Sequence, residues 1–302
     1  MSVPETTPVF ALPHRPSRLR AALVSLRPRQ WTKNLLLFAG IIFAAKLGDL
    51  SRWGEAFAAF TAYCAASSAS YLVNDVRDAE DDRLHPSKRL RPIAHGDLSP
   101  RLGLVLAALL LVAAVLLVTR LGVASILFLC AFIVLQAAYT LSLKHVVLVD
   151  VMTIAGLFVV RAAAGAAAVE VRISPWLLLC TALLALFLAL AKRRGELVLV
   201  GAEATPGRPV LEGYSLALVD QLVTVVAAST VISYCLYTFT ARGSKAMMIT
   251  IPFVLFGVFR YLLLMHRHDL GEEPEEILLR DVPILLCIAA WAVAAAVILS
   301  VT

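Results

Sequence analysis

Leu102-Gly-Leu-Val-Leu-Ala-Ala-Leu-Leu-Leu-Val-Ala-Ala-Val-Leu-Leu-Val-Thr119 runs eighteen residues without one charged side chain. A helix needs about 20 such residues to cross a bilayer core. An amphipathic helix of a soluble protein would show a polar stripe, and this run shows none. Further long apolar runs follow at Val146–Ala168 and Val282–Val301. Of the 302 residues, 60% are hydrophobic and only 16% charged. Soluble domains sit nearer half apolar and a quarter charged. The expected fold is therefore all-α, a polytopic membrane helical bundle of about nine transmembrane helices. The expected spans are 34–50, 53–76, 101–119, 122–140, 146–168, 174–192, 218–240, 246–265 and 282–301.

The N-terminus does not read as a secretory signal, because residues 1–33 are rich in Pro and Arg and the first apolar run starts only at Leu35. The expected organisation is a tail over 1–33, with a short interfacial helix near Leu19–Trp31, and one transmembrane domain over 34–302. The five cysteines stand singly inside apolar runs, without metal-ligand spacing, and read as small buried hydrophobes.

Charge sets the expected orientation. The tail and the connections at 77–101, 141–145, 192–208 and 266–281 carry nineteen of the 27 Lys and Arg residues. The alternate connections carry six, and Arg161 and Arg260 lie within spans. The positive-inside rule then places the N-terminus and the two large loops, 77–100 and 193–217, in the cytoplasm of a multi-pass protein. The formal net charge of +6 reports that orientation and anionic headgroups, not nucleic acid.

Tyr71-Leu-Val-Asn-Asp-Val-Arg-Asp-Ala-Glu-Asp-Asp82 closes the second span. On a continuing helix Asp75, Asp78 and Asp82 fall within about 60° of one another. Carboxylates so crowded repel unless a cation lies between them, and Mg2+, a hard ion with oxygen ligands, suits that face. Ionisable groups at the end of a membrane span are costly and usually functional. His85-Pro-Ser-Lys-Arg-Leu-Arg-Pro92 follows at once, so Lys88, Arg89 and Arg91 stand where a bound polyphosphate needs cations.

Asn74-Asp75-x-x-Asp78-x-x-x-Asp82 resembles the first aspartate-rich motif of the UbiA-type intramembrane transferase superfamily, whose members have nine helices. Arg27-Pro-Arg-Gln-Trp-Thr-Lys-Asn34, His85–Ala94 and Lys192-Arg-Arg-Gly-Glu-Leu197 resemble the branch of decaprenyl-phosphate phosphoribosyltransferases. The resemblance implies transfer of phosphoribose from phosphoribosyl pyrophosphate to a polyprenyl phosphate in a bacterial inner membrane. It also implies a role in supplying arabinan precursors for the cell wall. Prenyl-transferring members carry a second Asp-x-x-x-Asp motif after the sixth span. Here that place holds Lys192, Arg193 and Arg194 with the single acid Glu196. The resemblance thus implies a catalytic set of Asp75, Asp78, Asp82, Lys192, Arg193 and Glu196.

Other positions carry two readings each. Lys33, beside Trp31, either holds a phosphate or snorkels. Tyr139 in Tyr139-Thr-Leu-Ser-Leu-Lys144 either lines the site or is an interfacial aromatic. Lys144 and Asp150 flank the corner that closes over the site in the superfamily, and Asn74 opens the acidic motif. Lys192 and Glu196, at i and i+4, could simply pair. Arg161 lies eleven residues after Asp150, about 16 Å along one face. It either anchors an anionic group or forms a structural ion pair. Ala162–Ala168 reads as close helix packing through small residues. A prenyltransferase with an aromatic acceptor is the alternative enzyme, and a cation transporter the alternative class. Acids at a helix end, rather than at midplane, argue against transport. A homo-oligomer stays open.

Overall fold

The computed structural model describes residues 17–43, 48–84, 88–203, 209–240, 245–267, 277 and 280–301. Every regular element among them is helical. A bilayer dictates this, because helices satisfy their own backbone hydrogen bonds where no water can. Among the described residues eight helices are long and apolar enough to cross a membrane. They are α3 (Leu50–Arg77), α6 (Pro100–Thr119), α7 (Val123–Leu141), α8 (Val149–Ala168), α9 (Pro175–Glu203), α10 (Leu216–Thr240), α11 (Ile251–Arg267, entered through a 3₁₀ turn at Lys245–Thr250) and α12 (Val282–Val301).

The first expected span, 34–50, takes another form. Residues Pro28–Phe38 wind as a 3₁₀ helix and Ala39–Phe43 as the short α2. This segment lies directly on α8. A Cβ on Gly165 would stand 2.1 Å from the Leu37 carbonyl oxygen, and one on Gly40 would stand 2.7 Å from the Ala166 Cα. Glycine at both positions lets the two backbones touch, which is the packing expected of the Ala162–Ala168 run. Before it lies α1 (Arg18–Ser25), capped by Ser17 and shorter than the helix expected near Leu19–Trp31. Trp31 Nε1 donates to Ser68 Oγ at 3.0 Å, and Ser68 Oγ donates to the Leu26 carbonyl at 2.8 Å. Those two bonds tie the N-terminal segment to α3.

The helices α3 and α8 are the inner pair. Their spanning windows are 56% and 61% buried, against 17–28% for the other six. Each of those six presents a broad apolar face outward, as helices bathed in lipid tails must. Two apolar cores meet on α8. One joins Val151 to Phe187, Val223 and Tyr261 of α9, α10 and α11. The other joins Leu157 to Leu37, Tyr63, Leu129 and Phe132 of the 3₁₀ segment, α3 and α7. The sixth span runs on past its expected end, since α9 stays helical to Glu203 and carries Lys192–Glu196 within it. Much of the expected 193–217 loop is therefore helix. The 77–100 connection holds α4 (Ala79–Leu84), a 3₁₀ turn at Lys88–Leu90 and α5 (Pro92–His95). His85, at the head of the basic stretch, lies outside the described residues.

Candidate active site

The acidic motif sits where α3 ends. Asp78 terminates the helix with a near-bridge backbone (φ −90°, ψ 8°), yet the i to i+4 ladder carries across it. Asp78 N donates to the Asn74 carbonyl and Asp82 N to the Asp78 carbonyl, each at 2.9 Å. The three acids therefore keep nearly the helical register expected of them. Asp75 and Asp82 are buried, and Asp78 is half-buried.

One guanidinium gathers two of the acids. Arg91 Nη1 donates to Asp82 Oδ2 at 2.6 Å and to Asp75 Oδ1 at 3.2 Å. Asp75 Oδ1 also accepts from Arg27 Nη2 at 2.5 Å. Arg27 holds a left-handed backbone (φ 53°) between α1 and the 3₁₀ segment, and its guanidinium lies 4.8 Å over the Tyr71 ring. Asp78 instead faces Lys144, with Nζ 3.7 Å from Oδ2. The corner that carries Lys144 is held close by Arg77, which donates to the Thr140 carbonyl at 3.0 Å. Among the described residues no three acid, His or Cys side chains converge tightly enough to hold a metal ion by themselves.

The donor set nevertheless fits a hard divalent cation. Two buried carboxylates already face a single positive group, and Mg2+ usually takes one or two carboxylates and fills its remaining positions with waters and substrate phosphates. Asp75 and Asp82 would hold it, with Asp78 one helical turn from each.

A second cluster lies at the same end of the bundle. Arg193, only 1% exposed, donates from Nε to Asp150 Oδ2 at 2.7 Å and from Nη1 to Glu196. Tyr214 donates its hydroxyl proton to Asp150 Oδ1 at 2.6 Å and accepts from the Leu148 amide at 2.8 Å. Burial and the bond to Asp150 raise the Tyr214 hydroxyl above the ordinary tyrosine range. Leu148 caps α8 with a positive φ of 65°. Gly213 makes room, because a Cβ there would meet Val147 Cγ2 at 2.3 Å. Arg194 donates to Asp220 at 2.7 Å and to the Met265 carbonyl at 3.2 Å.

The structure thus brings Asp75, Asp82 and Arg91 together, and separately Asp78 with Lys144. It gives Arg193, Glu196 and Asp150 to a buried ion network instead of leaving Arg193 open for a phosphate. Tyr139 ends α7 within electrostatic range of Arg193. Arg89 is exposed in a shallow hollow with Arg83 and His95, while Lys33, Lys88 and Lys192 are half-buried. Arg161 makes no ion pair with Asp150 and contacts Asn34. Sequence reasoning missed Arg27 and Tyr214 as site residues. Arg27 opened a quoted motif, but nothing in its spacing pointed 48 residues on to Asp75. Tyr214 lay in an apparent loop with no periodic signal.

The chain matches the UbiA prenyltransferase family over residues 35–277. It is 34% identical over 293 residues to the decaprenyl-phosphate phosphoribosyltransferase of Mycolicibacterium smegmatis, covering 91% of this chain and 92% of that one. To the Corynebacterium glutamicum protein of the same name it is 32% identical over 303 residues, covering 96% and 91%. In fold it is similar to a UbiA homologue from Archaeoglobus fulgidus bound to GPP and Mg2+. That likeness has a TM-score of 0.71 at 18% identity and covers 93% of this chain and 100% of the other. A match running from the 3₁₀ segment to the last connection settles the family: this chain belongs to the UbiA prenyltransferases.

Proposed function

We propose that this chain transfers the 5-phosphoribosyl group of phosphoribosyl pyrophosphate to a polyprenyl phosphate and releases pyrophosphate. One structural observation carries the choice of donor. Asp75, Asp78 and Asp82 follow one another along one helix end, whereas Asp150 and Glu196 are drawn from two helices onto Arg193 and form no second such motif among the described residues. A prenyl diphosphate bound between two acidic motifs needs two acidic faces. Phosphoribosyl pyrophosphate, with a diphosphate at one end and a monophosphate at the other, needs one acidic face and a separate group of cations. The likeness to two full-length relatives of that name supports the same reading.

A phosphate oxygen of the lipid attacks the anomeric carbon as the bond from that carbon to the diphosphate breaks. The electron pair leaves with pyrophosphate, and a phosphodiester bond forms. The lipid phosphate is already an anion, so no strong general base is required. Mg2+ bound on Asp75 and Asp82 would supply charge neutralisation for the leaving diphosphate. Arg91 and Arg27 orient those carboxylates, and Lys144 holds the corner against Asp78. Lys88, Arg89 and Lys192 provide further cations for donor phosphates, offsetting repulsion between two anionic substrates. The positive charge bias supports a cytoplasmic position for this end of the bundle and for the N-terminus, in a bacterial cell membrane. Water-soluble donor reaches it there, and lipid arrives laterally. The product would feed synthesis of cell-wall arabinan. Residues 34–302 act as one domain, with α1 lying on the membrane surface.

The test is pyrophosphate release by purified protein with Mg2+. Release should require phosphoribosyl pyrophosphate and polyprenyl phosphate together. Release from a prenyl diphosphate with an aromatic acid, and none from phosphoribosyl pyrophosphate, would replace this reading with aromatic prenylation.

A further inference from the structure

Below the acidic motif the inner face of α3 stays polar. Tyr63, Cys64, Ser67, Tyr71, Asn74, Asp75 and Asp78 fall within an arc of about 120°. A lipid-facing helix has no use for such a stripe. It leads from the carboxylates into the bundle and ends opposite Arg161 of α8.

Arg161 is buried and has no carboxylate partner among the described residues. Its Nε donates to Asn34 Oδ1 at 2.8 Å and its Nη1 to the Leu157 carbonyl at 3.1 Å. Two rings flank the guanidinium, Phe132 at 4.5 Å and Phe158 at 5.4 Å. No hydrogen bond engages Nη2 among the described residues. A guanidinium has five N–H groups, so these contacts leave the charge and several donors unanswered. Asn34 turns its amide to Cys64 Sγ at 3.3 Å, tying Arg161 to the same turn of α3. Tyr63 packs its ring at a tilt against Phe132, ring centres 5.0 Å apart. The hydroxyls of Tyr63 and Ser67 are both buried and have no hydrogen-bond partner among the described residues.

One unpaired buried cation is costly, and an unpaired buried hydroxyl is costly too. Here one cation and two hydroxyls, all able to donate, gather within two helical turns of α3 and α8. A tetrahedral oxyanion is the group whose chemistry suits such donors, since it has charge for the guanidinium and acceptor oxygens for the hydroxyls. We infer that Arg161, Tyr63 and Ser67, with Arg161 oriented by Asn34, form a phosphate-monoester subsite for the lipid acceptor at the inner end of the active site. The inference rests on the transfer reading above and names the acceptor's anchor within it. Depth favours the lipid over the soluble donor. The guanidinium bonds at the level of Leu157, about 10 Å further into the bundle than Asp150. Its flanking phenyl rings suit an isoprenoid tail.

Two measurements test the subsite. The first is the thermal midpoint of purified Mg2+-loaded protein with farnesyl phosphate, farnesol, inorganic phosphate or phosphoribosyl pyrophosphate. Farnesyl phosphate should raise it in the wild type, and Arg161→Gln should abolish that rise while leaving the response to phosphoribosyl pyrophosphate. The second uses Tyr63→Phe and Ser67→Ala, which keep the packing and remove one hydroxyl each. Unliganded, neither should be less stable than wild type. Each should raise KM for polyprenyl phosphate about tenfold, the worth of one charge-assisted hydrogen bond, with little change in KM for the donor. An unchanged lipid KM in both variants would make the pocket structural and overturn the proposal. So would a loss confined to phosphoribosyl pyrophosphate or to inorganic phosphate. If the wild type turned over no phosphoribosyl pyrophosphate but still bound farnesyl phosphate through Arg161, the subsite would stand and the donor assignment would fall.

Discussion

Arg91 makes a single nitrogen serve two carboxylates that would otherwise face each other across a buried gap. Removing that charge takes from Asp82 its Arg91 partner and leaves Asp75 to Arg27 alone, a loss of up to about 3–5 kcal/mol for a buried pair stripped of one partner. A divalent cation can take over the same position. Arg91→Met should therefore lower the thermal midpoint in chelator, and Mg2+ should recover more of it than the same Mg2+ adds to wild type. Equal Mg2+ responses in the two proteins would argue that the carboxylates do not bind metal. Asp75→Asn and Asp82→Asn should each cut turnover about 100-fold with the fold intact, read as pyrophosphate release across a Mg2+ series. Asp78→Asn acts through Lys144 as well, so its effect should include a raised KM for the donor. The carboxylates were legible as residues because a charge run at the end of an apolar run has few structural uses. Their cation partners were not, since Arg27 and Arg91 reach them by chain reversals that no local periodicity encodes.

At the scale of elements, α8 organises the molecule. One of its ends is pinned by Asp150, which Arg193 and Tyr214 hold from α9 and from the segment before α10. Its other end is pressed against the N-terminal segment through Gly165. Arg193→Met would strand two carboxylates and should cost about 3–5 kcal/mol, measured by chemical denaturation in detergent. Tyr214→Phe removes a hydroxyl that both donates and accepts, and should cost about 1–3 kcal/mol. The two losses should not add, because both groups hold the same carboxylate. Gly165→Ala forces the Leu37 backbone to move, and overpacking of this kind costs about 1–3 kcal/mol or more. Hydropathy located α8 and its small-residue run, and the helix ends within a few residues. It could not foresee that residues 28–38 wind as a 3₁₀ helix before the short α2, because this segment packs backbone to backbone on α8, a contact that composition does not encode. Nor could it place the end of α9, where charged helix formers continue past the apolar span.

For the whole molecule the open quantity is which end of the bundle meets which compartment. Hydrophobic length gives the spans and burial gives the inner pair, α3 and α8, but neither distinguishes inside from outside. Only the charge asymmetry does, with nineteen Lys and Arg on the connections at the acidic end and six at the other. The bias is large because the connections at the acidic end are long and rich in Lys and Arg, among them the cations proposed to bind phosphate. On the proposed function, chemistry and orientation draw on the same residues, and the positive-inside rule predicts a cytoplasmic acidic end. Two exposed serines separate the faces cleanly: Ser142 follows α7 at the acidic end, and Ser51 lies in the first turn of α3 at the opposite end. Single cysteines at these positions, with the five native cysteines replaced by alanine, should behave oppositely. In intact cells an impermeant thiol reagent should label Ser51→Cys and spare Ser142→Cys, and after permeabilisation it should label both. The reverse pattern would put the acidic motif outside the cell, where no phosphoribosyl pyrophosphate is made, and would remove the donor proposed for it.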